Sequence, residues 1–268
     1  MWFYPLLFII GLVIGLYDSV AGSGGLALVS VLSLFNLPPQ MTLGTMRLVT
    51  LVQESVSLGA FLKKGLVELK TSLILGLFAA IGSIIGTTII FNIPEEVLAL
   101  IIAVLMVILA GLIPFLNFKR QLPRPIYLIK KLYKELTDQD TTIKSVSNKK
   151  FMLLLLIFFG LGIYGGFYGA GFGTVSLIVF TYLACTNLLV GAGNSRMVGF
   201  IMSVAASTVF FTKGAVSWPH FIPLSAGTII GSWFGVELAD KFGVKYVKIA
   251  LTFAVLAASI KVFLNLFI

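Results

Sequence analysis

Apolar residues run along this chain in long blocks. Eight stand out, at roughly 3–36, 45–62, 70–91, 96–117, 151–184, 195–212, 219–239 and 246–267. A helix rises 1.5 Å per residue, so about 20 apolar residues cross a bilayer core. The separators are charged or turn-forming: Pro38-Pro39, Lys63-Lys64-Gly65, Pro94-Glu95-Glu96, a basic stretch, Asn187, Lys213-Gly214 and Asp240-Lys241. The pattern predicts an all-α fold, a polytopic transmembrane helical bundle.

Segments 1 and 5 depart from a single span. Each exceeds 30 residues and carries a glycine cluster near its middle, Gly22-Ser23-Gly24-Gly25 in the first. The second holds Gly165-Gly166 and then Gly169-Ala170-Gly171-Phe172-Gly173. Glycine weakens a helix, and the freed backbone groups must be covered by protein or face a watery cavity. Both segments are therefore expected to be broken or re-entrant.

The halves of the chain resemble each other. Gly15, Tyr17, Gly22 and Gly24 fall on Gly162, Tyr164, Gly169 and Gly171 at an offset of 147. After a two-residue slip, Arg47, Phe61, Lys64, Gly65, Gly82, Ser83 and Gly86 fall on Arg196, Phe210, Lys213, Gly214, Gly231, Ser232 and Gly235 at an offset of 149. We read a duplicated four-segment unit: residues 1–117, a basic linker 118–150, and residues 151–268. If segments 1 and 5 each span once, the halves are parallel; if each is two helices, the halves are inverted. The charge pattern alone leans weakly to single spans.

Composition fits a bilayer as the solvent. Hydrophobic residues make up 59% of the 268 and charged residues only 11%, less than half the share of a soluble domain. The net charge of +9 is concentrated in the linker, where nine Lys and Arg meet three acids between Lys119 and Lys150. That placement points to anionic lipids of the inner leaflet, not to nucleic acid. One cysteine, Cys185, cannot form an internal disulfide, and one histidine, His220, gives no ligand set. No cleavable signal is evident at Met1-Trp2-Phe3-Tyr4-Pro5, which lacks a positive n-region. No Walker motif, HExxH or soluble βαβ context for the glycine run is present, so no cofactor, metal or enzymatic activity is expected.

Candidate chemistry sits at three places. Broken helices aim partly charged ends at a solute, which singles out Gly22, Ser23, Gly24, Gly169 and Gly171. Arg47 and Arg196, each after a small polar run containing Thr45 or Asn194 and Ser195, could fork onto an anion or snorkel to the interface. Asp18 and Glu54 are acids in apolar segments, where charge is expensive, and neither is duplicated. Each could couple a proton or form a salt bridge. Tyr17 and Tyr164 also repeat, for packing or for a solute hydrogen bond.

These residues resemble the TauE/SafE family of membrane transporters. The run Gly15 to Gly25 is similar to the family's first glycine motif, and Pro38 to Thr45 to its Pro-Pro stretch. Gly165 to Gly173 resembles its Gly-x-Gly repeat, Lys213 to Trp218 its G-x-V-x-W element, and Gly231 to Gly235 its glycine-rich seventh span. The resemblance implies a permease for small anions, with sulfite, sulfonates and sulfoacetate the usual assignments. The expected protein is a multi-pass plasma-membrane permease for a sulfur-containing or carboxylate anion, with a homo-oligomer allowed. A passive anion channel and a non-transporting scaffold or sensor are the alternatives.

Overall fold

The computed structural model describes residues 3–21, 24–115, 148–184, 186 and 188–242. Within them are nine helices and no strand. They are α1 (Phe3–Ala21), α2 (Gly24–Ser33), α3 (Pro39–Lys63), α4 (Leu69–Ile90), α5 (Glu95–Phe115), α6 (Asn148–Phe167), α7 (Phe172–Tyr182), α8 (Leu188–Thr212) and α9 (Trp218–Phe242). The eighth apolar segment and nearly all of the basic linker lie outside the described residues, as does Cys185.

The two long apolar segments are each two helices. The first divides into α1 and α2, the second into α6 and α7. Between α6 and α7, Gly169 and Gly171 take φ of +72° and +81°, a region open to glycine and strained for other residues. Two other segments begin earlier than hydropathy suggests. Helix α3 starts at Pro39, with Pro38 as its cap, and proline at the first helical position sacrifices no hydrogen bond. Helix α8 starts at Leu188, because Gly193 and Asn194 lower the hydropathy without interrupting the helix.

The packing is inside-out relative to a soluble protein. Helix α4 buries Ser72, Gly76, Ala79, Gly82, Ser83 and Gly86 and exposes Leu73, Leu77, Phe78, Ile81, Ile84 and Ile85. Small residues let backbones approach, while an apolar outer face suits lipid. Leu69–Ile90 and Val190–Thr212 are long and apolar enough to cross a membrane.

The largest helix contacts are α1 on α9 and α4 on α6, with α3 against α8 between them. Glycines set the registers. Along α4, Gly82 meets the carbonyl of Phe159 and Gly86 that of Ile163. Along α1, Gly11 meets the carbonyl of Leu224 and Gly15 that of Thr228. Both numbers rise together, so each of these pairs runs parallel. The central pair is the reverse: Gly44, near the start of α3, abuts the carbonyl of Ala215 beyond the end of α8. Gly193, near the start of α8, abuts the carbonyl of Leu66 beyond the end of α3. Helices α3 and α8 are antiparallel.

These contacts also come in exchanged pairs. Gly44 on Ala215 and Gly193 on Leu66 interchange under the 149-residue offset. So do two hydrogen bonds, Glu68 N–H to Asn194 Oδ1 at 2.7 Å and Ser217 N–H to Thr45 Oγ1 at 2.9 Å. Ser203 donates to Glu54 Oε2 at 2.7 Å, and residue 203 is residue 54 displaced by 149. A position that touches its own counterpart must lie where the two halves exchange.

Candidate functional site

Each helix break is faced by an arginine from the opposite half. Asp18, near the end of α1, accepts from the N–H of Gly24 at 2.5 Å and so caps the start of α2. Arg196, two turns inside α8, completes that corner. Its Nη1 lies 3.0 Å from Asp18 Oδ2, and its Nη2 donates to the Asp18 carbonyl at 2.8 Å. On the other side, Arg47 of α3 lies against Gly169 so closely that a Cβ there would overlap the guanidinium.

The two arginines are equivalent in sequence and unequal in partners. The counterpart of Asp18 under the 147-residue offset is Gly165, which offers no carboxylate. Arg47 is 3% exposed, and its Nη2 has no hydrogen-bond partner. A buried guanidinium nitrogen left unpaired is costly. Glu54, seven residues further along α3, keeps the Ser203 hydroxyl as its donor.

A cavity of about 30 Å³ opens here, lined by Asp18, Arg47, Glu54, Gly169, Gly171 and Arg196. Its size matches about two water molecules. Six of the residues singled out from sequence thus meet at one place. Gly24 stands beside it, capped by Asp18. Gly22 and Ser23 lie outside the described residues, as does the side chain of Tyr17.

The remaining candidates are engaged elsewhere. Thr45 and Asn194 hold the exchanged backbone hydrogen bonds between halves. Ser195 is hydrogen-bonded to Ser176 and reaches the Gly173 carbonyl at 3.2 Å, tying α8 to α7. Tyr164 donates to the carbonyl of Ala170 at 2.6 Å and so braces the second break. Both arginines lie about two turns inside their helices, so first-turn N–H groups of α3 and α8 are not beside them.

Sequence reasoning missed Gln53 and Thr50, which also line the cavity. Gln53 is 1% exposed, and neither its amide oxygen nor its nitrogen has a partner. The available signal was an uncharged polar side chain in an apolar helix, six residues beyond Arg47. The cavity therefore offers donors from Arg47 and Gln53, a reach suited to a small oxyanion.

Comparison with known proteins places the chain among membrane transporters. The family model described as Sulfite exporter TauE/SafE matches residues 7–262. The chain is 26% identical to "Probable membrane transporter protein ORF9" of Sinorhizobium sp, over 95% of this chain and 90% of the relative. It is 28% identical to a "Probable membrane transporter protein" of Haemophilus influenzae, over 87% and 84%. It is 26% identical to "Probable membrane transporter protein YunE" of Bacillus subtilis, over 88% and 86%. No solved structure matches the chain.

Proposed function

The chain belongs to the Sulfite exporter TauE/SafE family of membrane transporters, and from that premise we propose that it is a secondary permease for a small anion, binding it at Arg47. The observation that carries the reading is the Arg47 guanidinium, buried, lining the cavity and short of a partner. An oxyanion of a sulfonate, sulfite or carboxylate would supply the missing acceptor. Gln53 would donate beside it. The small cavity favours a compact anion, and a larger one would need the helices to part.

The architecture supports a multi-pass protein of two inverted halves. With α3 and α8 antiparallel, the exchange between halves turns one upside down relative to the other. Helices α1 and α9 run parallel, and α9 returns from α8 through a short turn. Helix α1 therefore shares the direction of α3, which leaves α2 to carry the chain back between them. The first half then has five helices and the described part of the second four, with the site at the broken ones, as in many transporters. The basic linker 118–150 would face anionic headgroups at the inner leaflet of the plasma membrane.

Uptake of labelled sulfite, methanesulfonate and sulfoacetate into proteoliposomes tests the site. A hydrogen bond to a charged group contributes about 1.5–3 kcal/mol, roughly 10- to 100-fold in affinity. Arg47→Ala should lower apparent affinity for the transported anion by that factor. Unchanged uptake of every anion by Arg47→Ala would overturn the assignment.

A further inference from the structure

Four charged side chains line the cavity: Arg47, Arg196, Asp18 and Glu54. Two are cations and two are anions, so the ionised site is neutral. A monoanion entering beside Arg47 would leave it with a net negative charge. Asp18 and Arg47 are buried there, and within an apolar helical bundle such an imbalance is strongly disfavoured. Something must bring a positive charge in with the anion.

The two carboxylates differ in what a proton would cost them. Asp18 accepts from Arg196 at 3.0 Å and from the Gly24 N–H at 2.5 Å. Protonating it would weaken the ion pair and the cap of α2 together. Glu54 has the Ser203 hydroxyl, 2.7 Å from Oε2. A hydroxyl donates to a carboxylate and accepts from a carboxylic acid, so this contact survives either state. The charges acting on Glu54 are Arg47 on its own helix, Arg196 on α8 and Asp18 on α1.

Position reinforces the choice. Glu54 touches Ser203, its own counterpart, and so stands where the two halves exchange. In a transporter whose halves swap roles between its two open forms, that point is related in the same way to both sides of the membrane. Among the described acids, Glu54 alone combines this place with a wall of the cavity.

We infer that Glu54 is the proton-carrying group of this site, and that the transporter moves one monoanion together with one proton. Asp18 is the fixed counter-ion of Arg196 and does not exchange its proton during transport. The inference rests on the anion site proposed above and adds its coupling ion and stoichiometry. Anion on Arg47 and proton on Glu54 leave the loaded site neutral, so the cycle is electroneutral.

The test uses the full-length protein. Binding of methanesulfonate, sulfoacetate and sulfite is followed by thermal shift across a pH series. Methanesulfonate keeps one charge throughout, so any pH dependence in its binding belongs to the protein. One linked proton makes affinity rise about tenfold for each unit of falling pH above the Glu54 titration. Glu54→Gln should bind with an affinity independent of pH and near that of the wild type in acid. In proteoliposomes an inward proton gradient should drive accumulation by the wild type, and a potassium diffusion potential should not. Glu54→Gln should lose that accumulation while still exchanging internal for external labelled anion. Should Glu54→Gln fail to fold, the wild-type pH series and the indifference to potential decide the matter.

Anion binding that ignores pH, or that requires sodium instead, overturns the inference and leaves the Arg47 site standing. Gradient-driven accumulation by Glu54→Gln overturns it as well. If the wild type binds none of the three anions, or Arg47→Ala binds them as well as the wild type, the site reading itself falls and this inference with it.

Discussion

At Gly169 the backbone has φ +72°, and a Cβ would overlap the Arg47 guanidinium. At Gly171, two residues on, φ is +81° and a Cβ would meet nothing within 4 Å. The same substitution should therefore have unequal effects. Gly171→Ala adds left-handed strain, about 1–2 kcal/mol, and a methyl at the cavity wall that clashes with nothing, so it should lower the melting temperature and cost less uptake than the change at Gly169. Gly169→Ala adds that strain and also displaces Arg47 from the cavity. Uptake should fall by more than tenfold even in detergent-stable protein. Equal losses of transport in the two variants would argue against Arg47 as the group that Gly169 makes room for. The glycine clusters were legible from the sequence as breaks. Which glycine is pressed by an arginine was not, because the partner lies more than a hundred residues away.

At the scale of helices, the candidates divide according to what each element needs. Thr45 and Asn194 flank the arginines in sequence, and that proximity made them plausible ligands. Helical geometry aims them elsewhere: residue i and residue i+2 lie on different faces. Asn194 Oδ1 instead accepts from the Glu68 N–H after α3, and Thr45 Oγ1 from the Ser217 N–H after α8. Asn194→Ala should therefore destabilise the fold by about 1–2 kcal/mol, read as a lower melting temperature, with the apparent affinity for the transported anion unchanged. A large loss of affinity without loss of stability would restore Asn194 to the site. Apolar blocks and glycine breaks could be read from spacing along the chain. The pairing of Asp18 with Arg196, the unpaired Nη2 of Arg47 and the place of Gln53 could not. They depend on which half supplies the neighbour, and periodicity within one helix carries no record of that.

For the whole molecule, orientation is the property that hydropathy left undecided and helix registers inform. Single spans for segments 1 and 5 would put the turns at Lys63-Lys64 and Lys213 on one face. Inverted halves put them on opposite faces, since α3 and α8 are antiparallel and each ends at its own turn. The cations then fall more nearly on one face with the inverted arrangement. The turn after α3, the start of α6 and the end of α9 fall on one side. That side gathers Lys63, Lys64, Lys149 and Lys150 at the start of α6 and Lys241 near the end of α9; Lys245 and Lys248 follow in the sequence, outside the described residues. Lys213 and the acids Glu95 and Glu96 fall on the other. This is the bias expected of a cytoplasmic face, with Lys213 as the exception. With parallel halves, Lys241, Lys245 and Lys248 would instead sit outside. Replacing the single cysteine, Cys185→Ser, gives a background for the decisive measurement. In intact cells a membrane-impermeant maleimide should label Lys213→Cys and not Lys64→Cys. After permeabilisation both should label. Labelling of both or neither in intact cells would return the halves to a parallel arrangement. It would also remove the reason for relating Glu54 in the same way to both sides of the membrane.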